Sequence, residues 1–541
     1  MRTANPSPLG HVRTGARRPK KCRTARGIQV HAYARIPPGA NGPVTLSGPL
    51  PVWGREGLFY LLFIGLLLFL SQPCHPQNPS RWNVLFIAVD DMRVDLGCYG
   101  NPLVQTPNLD RLAQRSTLFQ RAYCQQAVCN PSRASLLTGR RPDTIGVIDL
   151  PTHFRENNPD IVTLPQWFKM HGYFTRNIGK IFHNWRQDDY RGDPESWSVP
   201  AEMHYNSHGN DTPQTDTPLP PDLSGVPRTE IRDVPDEAYF DGRIASRAVE
   251  ALEELRTSRD PFFLAVGFWK PHAPFNAPKR YWDRYPRQTI LFPHNPAPPI
   301  GVPSIALHDS REILRGFRDR PGGVPTPEEV ITLRHGYYAA ISYVDAQIGR
   351  VLDALDANGL TSSTIVVFWS DHGYHLGEHG LWAKTSNFEL DTHVPLMIAE
   401  AGQEQSQRIE SLVELLDVFP TLTAMCGLPQ PVGLEGKDLQ PLIRTDVESP
   451  IHGAVYSQHT RPAYPPAGAG PEAMGYSMRT DRFRYTEWRD YRTGAILAQE
   501  LYDHLRDPGE SYNLAIDPTH ASLLTYFSRR MASDLRLSAF D

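Results

Sequence analysis

The stretch Asn83-Val84-Leu85-Phe86-Ile87-Ala88-Val89-Asp90-Asp91 decides the fold. Its apolar residues run without a break and stop at two aspartates. A strand with one wet face alternates apolar and polar side chains. An unbroken run of strand length instead suits a strand covered on both faces of a sheet. A second run of this kind, Thr364-Ile365-Val366-Val367-Phe368-Trp369, stops at Ser370-Asp371-His372. Helical patterns lie around and between the two. One starts at Thr106 as N-cap with Pro107 in its first turn, and carries Leu109, Leu112 and Ala113 on one face. Another covers roughly Asp236 to Leu255. A long one starts at Thr326-Pro327, shows Ile341, Val344, Ile348, Val351 and Leu355 as its apolar stripe, and ends at Gly359. Strands alternating with helices predict an α/β fold with a mostly parallel central sheet flanked by helices.

Working outward, the 541 residues are enough for one large domain and a smaller one. Segments 205–235 and 286–327 are irregular and rich in Pro, Asp and Thr. Loops that long in a compact domain are expected to be functional insertions. Beyond residue 445 short runs such as Val455-Tyr456-Ser457, Gly475-Tyr476-Ser477-Met478-Arg479, Phe483-Arg484-Tyr485-Thr486 and Glu500-Leu501-Tyr502-Asp503 predict antiparallel strands of a smaller α+β domain. The expected division is a leader over 1–78, a main domain over 79–444 and a C-terminal domain over 445–541. The leader is basic, with ten Lys or Arg in residues 1–56 against the single acid Glu56. The apolar run Gly57 to Leu70 that follows has signal-peptide length, short of the roughly 20 residues of a membrane span. It predicts export, with an uncleaved membrane anchor as the rival. A net charge of -4 gives no reason to expect a nucleic-acid partner. Six cysteines, two of them (Cys22 and Cys74) in the leader, are too few for a disulfide framework. The triplet Asn210-Asp211-Thr212 matches a glycosylation acceptor, as a chain this long does by chance.

Both apolar runs end in polar residues that could act together. Ligands of open α/β sheets bind beyond the carboxyl ends of the strands. Three carboxylates and an imidazole meeting there, Asp90, Asp91, Asp371 and His372, cannot all stay buried without compensation. A divalent cation resolves the conflict, and hard oxygen donors in flexible number favour calcium over magnesium. Each pair alone is by default strand-end turn chemistry, and only both pairs together with the Cys129 stretch point to a metal.

The third informative stretch is Cys129-Asn130-Pro131-Ser132-Arg133-Ala134-Ser135-Leu136-Leu137-Thr138-Gly139-Arg140. Taken singly, Cys129 reads as a buried apolar residue. Pro131, however, fits the first turn of a helix, whose free N–H groups and positive dipole end suit an anionic group beside Cys129, and Arg133 adds a fixed charge. Further cations occur in Gly179-Lys180-Ile181-Phe182-His183, in Lys270-Pro271-His272-Ala273-Pro274, and at Lys384 in Gly377-Glu378-His379-Gly380-Leu381-Trp382-Ala383-Lys384. Each of these alone is by default a solvated side chain.

Together these blocks resemble the type I sulfatases of the alkaline phosphatase-like superfamily, and within them the branch acting on 2-O-sulfated iduronate. The resemblance runs from about Asn83 to the C-terminus and includes Met474-Gly475-Tyr476-Ser477 in the smaller domain. It implies that Cys129 is oxidised after synthesis to formylglycine, an aldehyde that hydrates to a geminal diol. It implies one calcium ion held by Asp90, Asp91, Asp371 and His372, with the modified side chain at 129 completing the shell. His372 stands where the family usually has asparagine, in agreement with that branch. Arg133 would hold and polarise the diol, while Lys180, His183, His272 and Lys384 would bind sulfate and assist proton transfer. The implied partners are a sulfated glycan, with 2-O-sulfo-iduronate or a related uronate as the target, and a formylglycine-generating enzyme. The implied location is periplasmic or extracellular in a bacterium, lysosomal or secreted in an animal. Open alternatives are another sulfated polysaccharide, or a phosphodiesterase or phosphonate ester hydrolase on the same fold. A non-catalytic glycan-binding protein would need no Cys129 motif. Segments 205–235 and 286–327, with Tyr374-His375 beside the site, depart from the family pattern and bear on the sugar recognised.

Overall fold

The computed structural model of the protein describes residues 81–183, 192–204, 226–444, 450–464 and 469–537. The leader with its Gly57 to Leu70 run, and Asn210-Asp211-Thr212, lie outside the described residues. Among those described, no helix is long and apolar enough to cross a membrane.

Fifteen strands occur among the described residues: β1 (Asn83–Asp90), β2 (Thr117–Tyr123), β3 (Phe174–Gly179), β4 (Thr229–Arg232), β5 (Phe262–Pro271), β6 (Phe275–Pro278), β7 (Thr364–Ser370), β8 (His375–Leu376), β9 (Trp382–Ala383), β10 (His393–Ala399), β11 (Gln407–Glu414), β12 (Val455–Arg461), β13 (Ala473–Arg479), β14 (Phe483–Asp490) and β15 (Ile496–Asp503). Seven build the central sheet in the order β11-β2-β10-β7-β1-β5-β3. β1 pairs in parallel with both β5 and β7, β3 with β5, and β11 with β2. β10 alone runs against its neighbours β2 and β7. The sheet is thus mostly parallel, with one reversed strand.

The unbroken apolar run of β1 is explained by cover on both faces. Leu85, Ile87 and Val89 enter one core cluster with the helices Phe240–Leu255 and Pro327–Ala357. Val84, Phe86 and Ala88 enter the other, with the helices Cys129–Thr138 and Val418–Met425. All six are fully buried, and burial of each of the larger ones contributes about 1.5–3 kcal/mol. At the β3–β5 end, Gly179 (φ +84°) and Gly267 let the backbones approach closely: a Cβ on Gly179 would sit 2.0 Å from the Gly267 carbonyl oxygen. The Lys180 N–H donates to that carbonyl at 2.7 Å, which fixes the start of the segment carrying Lys180.

The predicted helices form, one of them with a shifted start. The one expected from Asp236 begins at Phe240, because Asp236–Ala238 forms a separate 3-10 turn. Thr106 stands at the expected N-cap of Pro107–Ala113, but its hydroxyl bonds Gly97 N–H and Asp110 rather than capping the helix. The long helix starts as expected, with Thr326 and Glu329 closing a reciprocal capping box. Thr326→Ala is expected to cost about 1 kcal/mol. The check is a lower denaturant midpoint at unchanged slope; an unchanged midpoint would mean that packing alone sets this helix start.

The C-terminal part carries the expected antiparallel sheet, in the order β12-β13-β14-β15. Tyr456, Met478, Tyr485 and Leu501 on its face pack against Phe527 and Met531 of the helix Ala521–Asp534. Its first strand is sewn to the segment before Cys129: Gln458 N–H donates to Gln125 O at 2.8 Å and the Ser457 hydroxyl to Cys124 O at 2.5 Å.

Candidate active site

β1, β7, β5 and β3 are adjacent in the sheet, so the residues at their carboxyl ends are brought together. β1 delivers Asp90 and Asp91, β7 delivers Asp371 and His372, β5 delivers His272, and β3 delivers Lys180. The helix Cys129–Thr138 points its N-terminus at the same place and is closed at its far end by Gly139 in the left-handed region (φ 65°). Ligand atoms of Asp90, Cys129, Asp371 and His372 all lie within 4.8 Å of one another, as do those of Asp90, Asp91, Cys129 and His272. Asp90, Asp91, Asp371 and His372 are wholly buried, and Cys129 is nearly so.

Arg133 holds this arrangement from below. Its Nε donates to Asp371 Oδ2 at 2.7 Å and its fork reaches Asp90 Oδ1 at 3.5 Å. The remaining N–H groups donate to the carbonyls of Lys180, Ile181 and Val89 at 2.7, 3.2 and 3.0 Å. Ser132 donates to the Asp371 carbonyl at 2.5 Å, and the Ser370 hydroxyl accepts from Met92 N–H and donates to His372 O, each at 3.0 Å. Sequence reading missed Ser370, although it stands directly before Asp371.

The cations are distributed around the two aspartates. Lys180 Nζ is in direct contact with Asp90. Lys384 Nζ bonds both Asp91 oxygens, at 2.9 and 2.8 Å. His272 Nε2 lies 3.7 Å from Asp91 Oδ2. His372 Nε2 is 3.3 Å from Asp91 Oδ1 and 3.5 Å from Cys129 Sγ, while its Nδ1 lies 3.0 Å from the Gly373 carbonyl. That second contact fixes the ring and leaves Nε2 facing the carboxylates. His183 is buried three residues beyond Lys180 and belongs to neither four-residue cluster. A further acid, Glu312, arrives from the 286–327 segment and bonds Lys384 at 2.9 Å. Nothing in the sequence around Glu312 signals this, since it sits in an irregular stretch far from any strand end.

Backbone strain concentrates here. Asp91 (φ 64°), Ala383 (φ 69°) and Thr385 (φ 89°) occupy the left-handed region. For a β-branched threonine that conformation is costly, and it persists only where surrounding contacts enforce it. The two flanking positions place Lys384 over Asp91.

The electrostatics bear on a cation. Burial raises the Asp90 carboxyl, but Lys180, His272 and Arg133 outweigh it and hold the group well below the usual carboxylate range. For Asp91 burial wins. Lys384 opposes it, but Asp90, Glu312 and Asp371 add repulsion, and the carboxyl is pushed well up. Burial and the Asp90 charge also push the Cys129 thiol well above its ordinary value. Four carboxylates (Asp90, Asp91, Asp371, Glu312) thus face three permanent cations (Arg133, Lys180, Lys384). A divalent ion among the aspartates would offset the burial and repulsion that push the Asp91 carboxyl up and would turn the site net positive, as an anionic substrate requires. The donor set of three carboxylates and one imidazole fits such an ion.

The sulfatase family matches residues 82–428, and the family described as N-sulphoglucosamine sulphohydrolase, C-terminal, matches residues 377–536. Iduronate 2-sulfatase of Mus musculus is 37% identical over 549 residues, covering 88% of this chain and 98% of that protein. Iduronate 2-sulfatase of Homo sapiens is 38% identical over 544 residues, covering 87% and 98%. Among solved structures, phosphonate monoester hydrolase from Silicibacter pomeroyi superposes with a TM-score of 0.69 at 26% identity, covering 84% of this chain and 95% of that one. With that identity sustained over most of its length, and with these residues gathered at the strand ends, the chain belongs to the sulfatase family.

Proposed function

We propose that this sulfatase removes the 2-O-sulfate of iduronate, or of a related uronate, from a glycan. Position 129 would be formylglycine, and Asp90, Asp91, Asp371, His372 and the side chain at 129 would hold one calcium ion. The observation that carries the reading is the convergence of Cys129, Asp90, Asp371 and His372 within 4.8 Å in a chain 37% identical to iduronate 2-sulfatase of mouse. The hydrated aldehyde would supply an oxygen nucleophile with a second hydroxyl through which sulfate leaves, and the ion would supply charge neutralisation.

The chain's own residues do the rest. Arg133 orients the Asp90 and Asp371 carboxylates and adds positive charge behind position 129. Lys180, with His183 beyond it on the same segment, would bind the sulfate oxygens. Lys384 Nζ and His272 Nε2, both next to Asp91, would protonate the leaving sugar oxygen. Positioned charges of this kind supply the largest share of rate in most such sites.

Removal of the ion tests its part. After dialysis against a calcium chelator the protein is expected to lose activity and melt at lower temperature, with both restored by calcium. Saturation at 100 times Kd corresponds to about 2.7 kcal/mol of stabilisation. Activity and melting that ignore the chelator would remove the ion from the reading.

The rival reading, hydrolysis of a phosphonate monoester, is favoured by the likeness to the Silicibacter pomeroyi hydrolase. Comparison of kcat/KM on a 2-O-sulfo-iduronoside, 4-nitrophenyl sulfate and a phenyl phosphonate monoester separates the two. The sulfate esters are expected to be preferred, and a preference for the phosphonate would overturn the reading.

A further inference from the structure

Two residues at the edge of the site have no part in the chemistry above. Glu312 lies on the short helix Arg311–Leu314 of the 286–327 segment. That helix is pinned next to Lys384: its N-cap Ser310 accepts a hydrogen bond from Trp382 N–H of β9 at 2.9 Å. The Glu312 carboxylate bonds Lys384 Nζ and lies 3.6 Å from His272 Nε2. With its side chain 19% exposed, it lies nearer the solvent than Asp91, which is fully buried. Tyr374 stands two residues after His372, directly before β8. Its ring stacks on Tyr337 (centroids 5.4 Å apart) and meets Phe275 edge-on. Its hydroxyl is buried and has no hydrogen-bond partner. The hydroxyl of the stacked Tyr337 donates to the Asp91 carbonyl at 2.7 Å, which places the pair of rings beside Asp91 and so beside the Lys384 that bonds both Asp91 and Glu312, at one corner of the site.

A buried phenol that bonds nothing forfeits about 1–3 kcal/mol. A carboxylate beside the two groups that serve the leaving oxygen is also unexpected in a site for an anion, since it repels the substrate's charge. Both features make sense if the corner receives a neutral, hydrogen-bonding part of the substrate. A sugar hydroxyl vicinal to the sulfate ester is such a part: it can donate to a carboxylate and accept from a phenol.

Building on the sulfate-ester reading, we propose that Glu312 and Tyr374 form a subsite for an unsulfated hydroxyl adjacent to the ester, with Glu312 accepting from it and Tyr374 donating to it. For a 2-O-sulfated uronate this is the 3-hydroxyl. The same carboxylate disfavours a second sulfate at that position, because two anions would meet in a poorly solvated corner.

The test compares three substrates: a methyl 2-O-sulfo-iduronoside, its 3-deoxy analogue, and the 2,3-di-O-sulfated form, each with the wild-type protein, Glu312→Gln and Tyr374→Phe. Wild type is expected to prefer the free-hydroxyl substrate over the 3-deoxy analogue by on the order of 10- to 100-fold in kcat/KM. Both variants should lose most of that preference, with kcat/KM falling more for the hydroxyl substrate than for the 3-deoxy analogue and KM for the hydroxyl substrate rising. Glu312→Gln should also improve the di-sulfated substrate relative to the mono-sulfated one. If each variant falls by the same factor on all three substrates, the residues only hold Lys384 and the core in place, and the proposal is overturned. If wild type turns over none of the three yet cleaves 4-nitrophenyl sulfate, the uronate reading fails; free-hydroxyl and deoxy pairs of the sulfated sugar it does accept then decide the subsite by the same ratio.

Discussion

Cys129→Ala is expected to lower turnover of any sulfate ester by on the order of 10⁴-fold or more, with the fold kept. The side chain is 2% exposed and small, and it opens a helix in which alanine is well tolerated. The truncation therefore removes little packing, about 1 kcal/mol at most for a group of this size. On the proposed reading it removes the group from which the nucleophile is made, at a point where three aspartates, Arg133 and two lysines are gathered. Cys129→Ser should be equally inactive. A serine offers one hydroxyl and no second oxygen on the same carbon through which the bond to sulfur can be released. The measurement is kcat/KM alongside circular dichroism and melting temperature. An alanine variant with near-native activity would remove position 129 from the chemistry.

Arg133→Met is expected to have the largest effect on stability. The guanidinium is fully buried and compensates two buried carboxylates while satisfying three backbone carbonyls. Methionine fills much of the volume but leaves Asp90 and Asp371 without that charge. Breaking a buried ion pair from one side costs about 3–5 kcal/mol. The protein should therefore unfold at markedly lower denaturant concentration and lose activity, and Arg133→Lys should restore part of the stability but not the fork geometry. A methionine variant of native stability would contradict the view that this side chain holds the strand ends together.

Much of this arrangement was legible in the sequence, for definite reasons. β1 and β7 are covered on both faces, so their runs are apolar throughout and end abruptly at Asp90 and Asp371. The long helix carries its own start signal in Thr326 and Glu329. The apolar run Phe262 to Phe268 of β5 is readable in the same way as those of β1 and β7, whereas the strands toward the β11 edge do not announce themselves. β2 contains Gln120 and Arg121, and β11 begins Gln407-Arg408 and contains Glu410, because these strands lie toward one edge and expose part of their length. The reversal of β10 leaves no mark in composition, since direction is set by connection and not by side chains. Within the site, residues at strand ends or inside the Cys129 motif were readable. Glu312 was not: it reaches Lys384 across 72 positions from an irregular segment, through a contact that only the folded chain defines. Tyr374-His375 was visible as a departure beside the site, but the unbonded hydroxyl became evident only from its surroundings.

The most direct measurement is the mass of the peptide containing residue 129, taken from active protein. The account expects a side chain that has lost sulfur and two hydrogens and gained one oxygen, reactive toward a hydrazide, in proportion to specific activity. Fully active protein carrying an unmodified thiol at that position would contradict it.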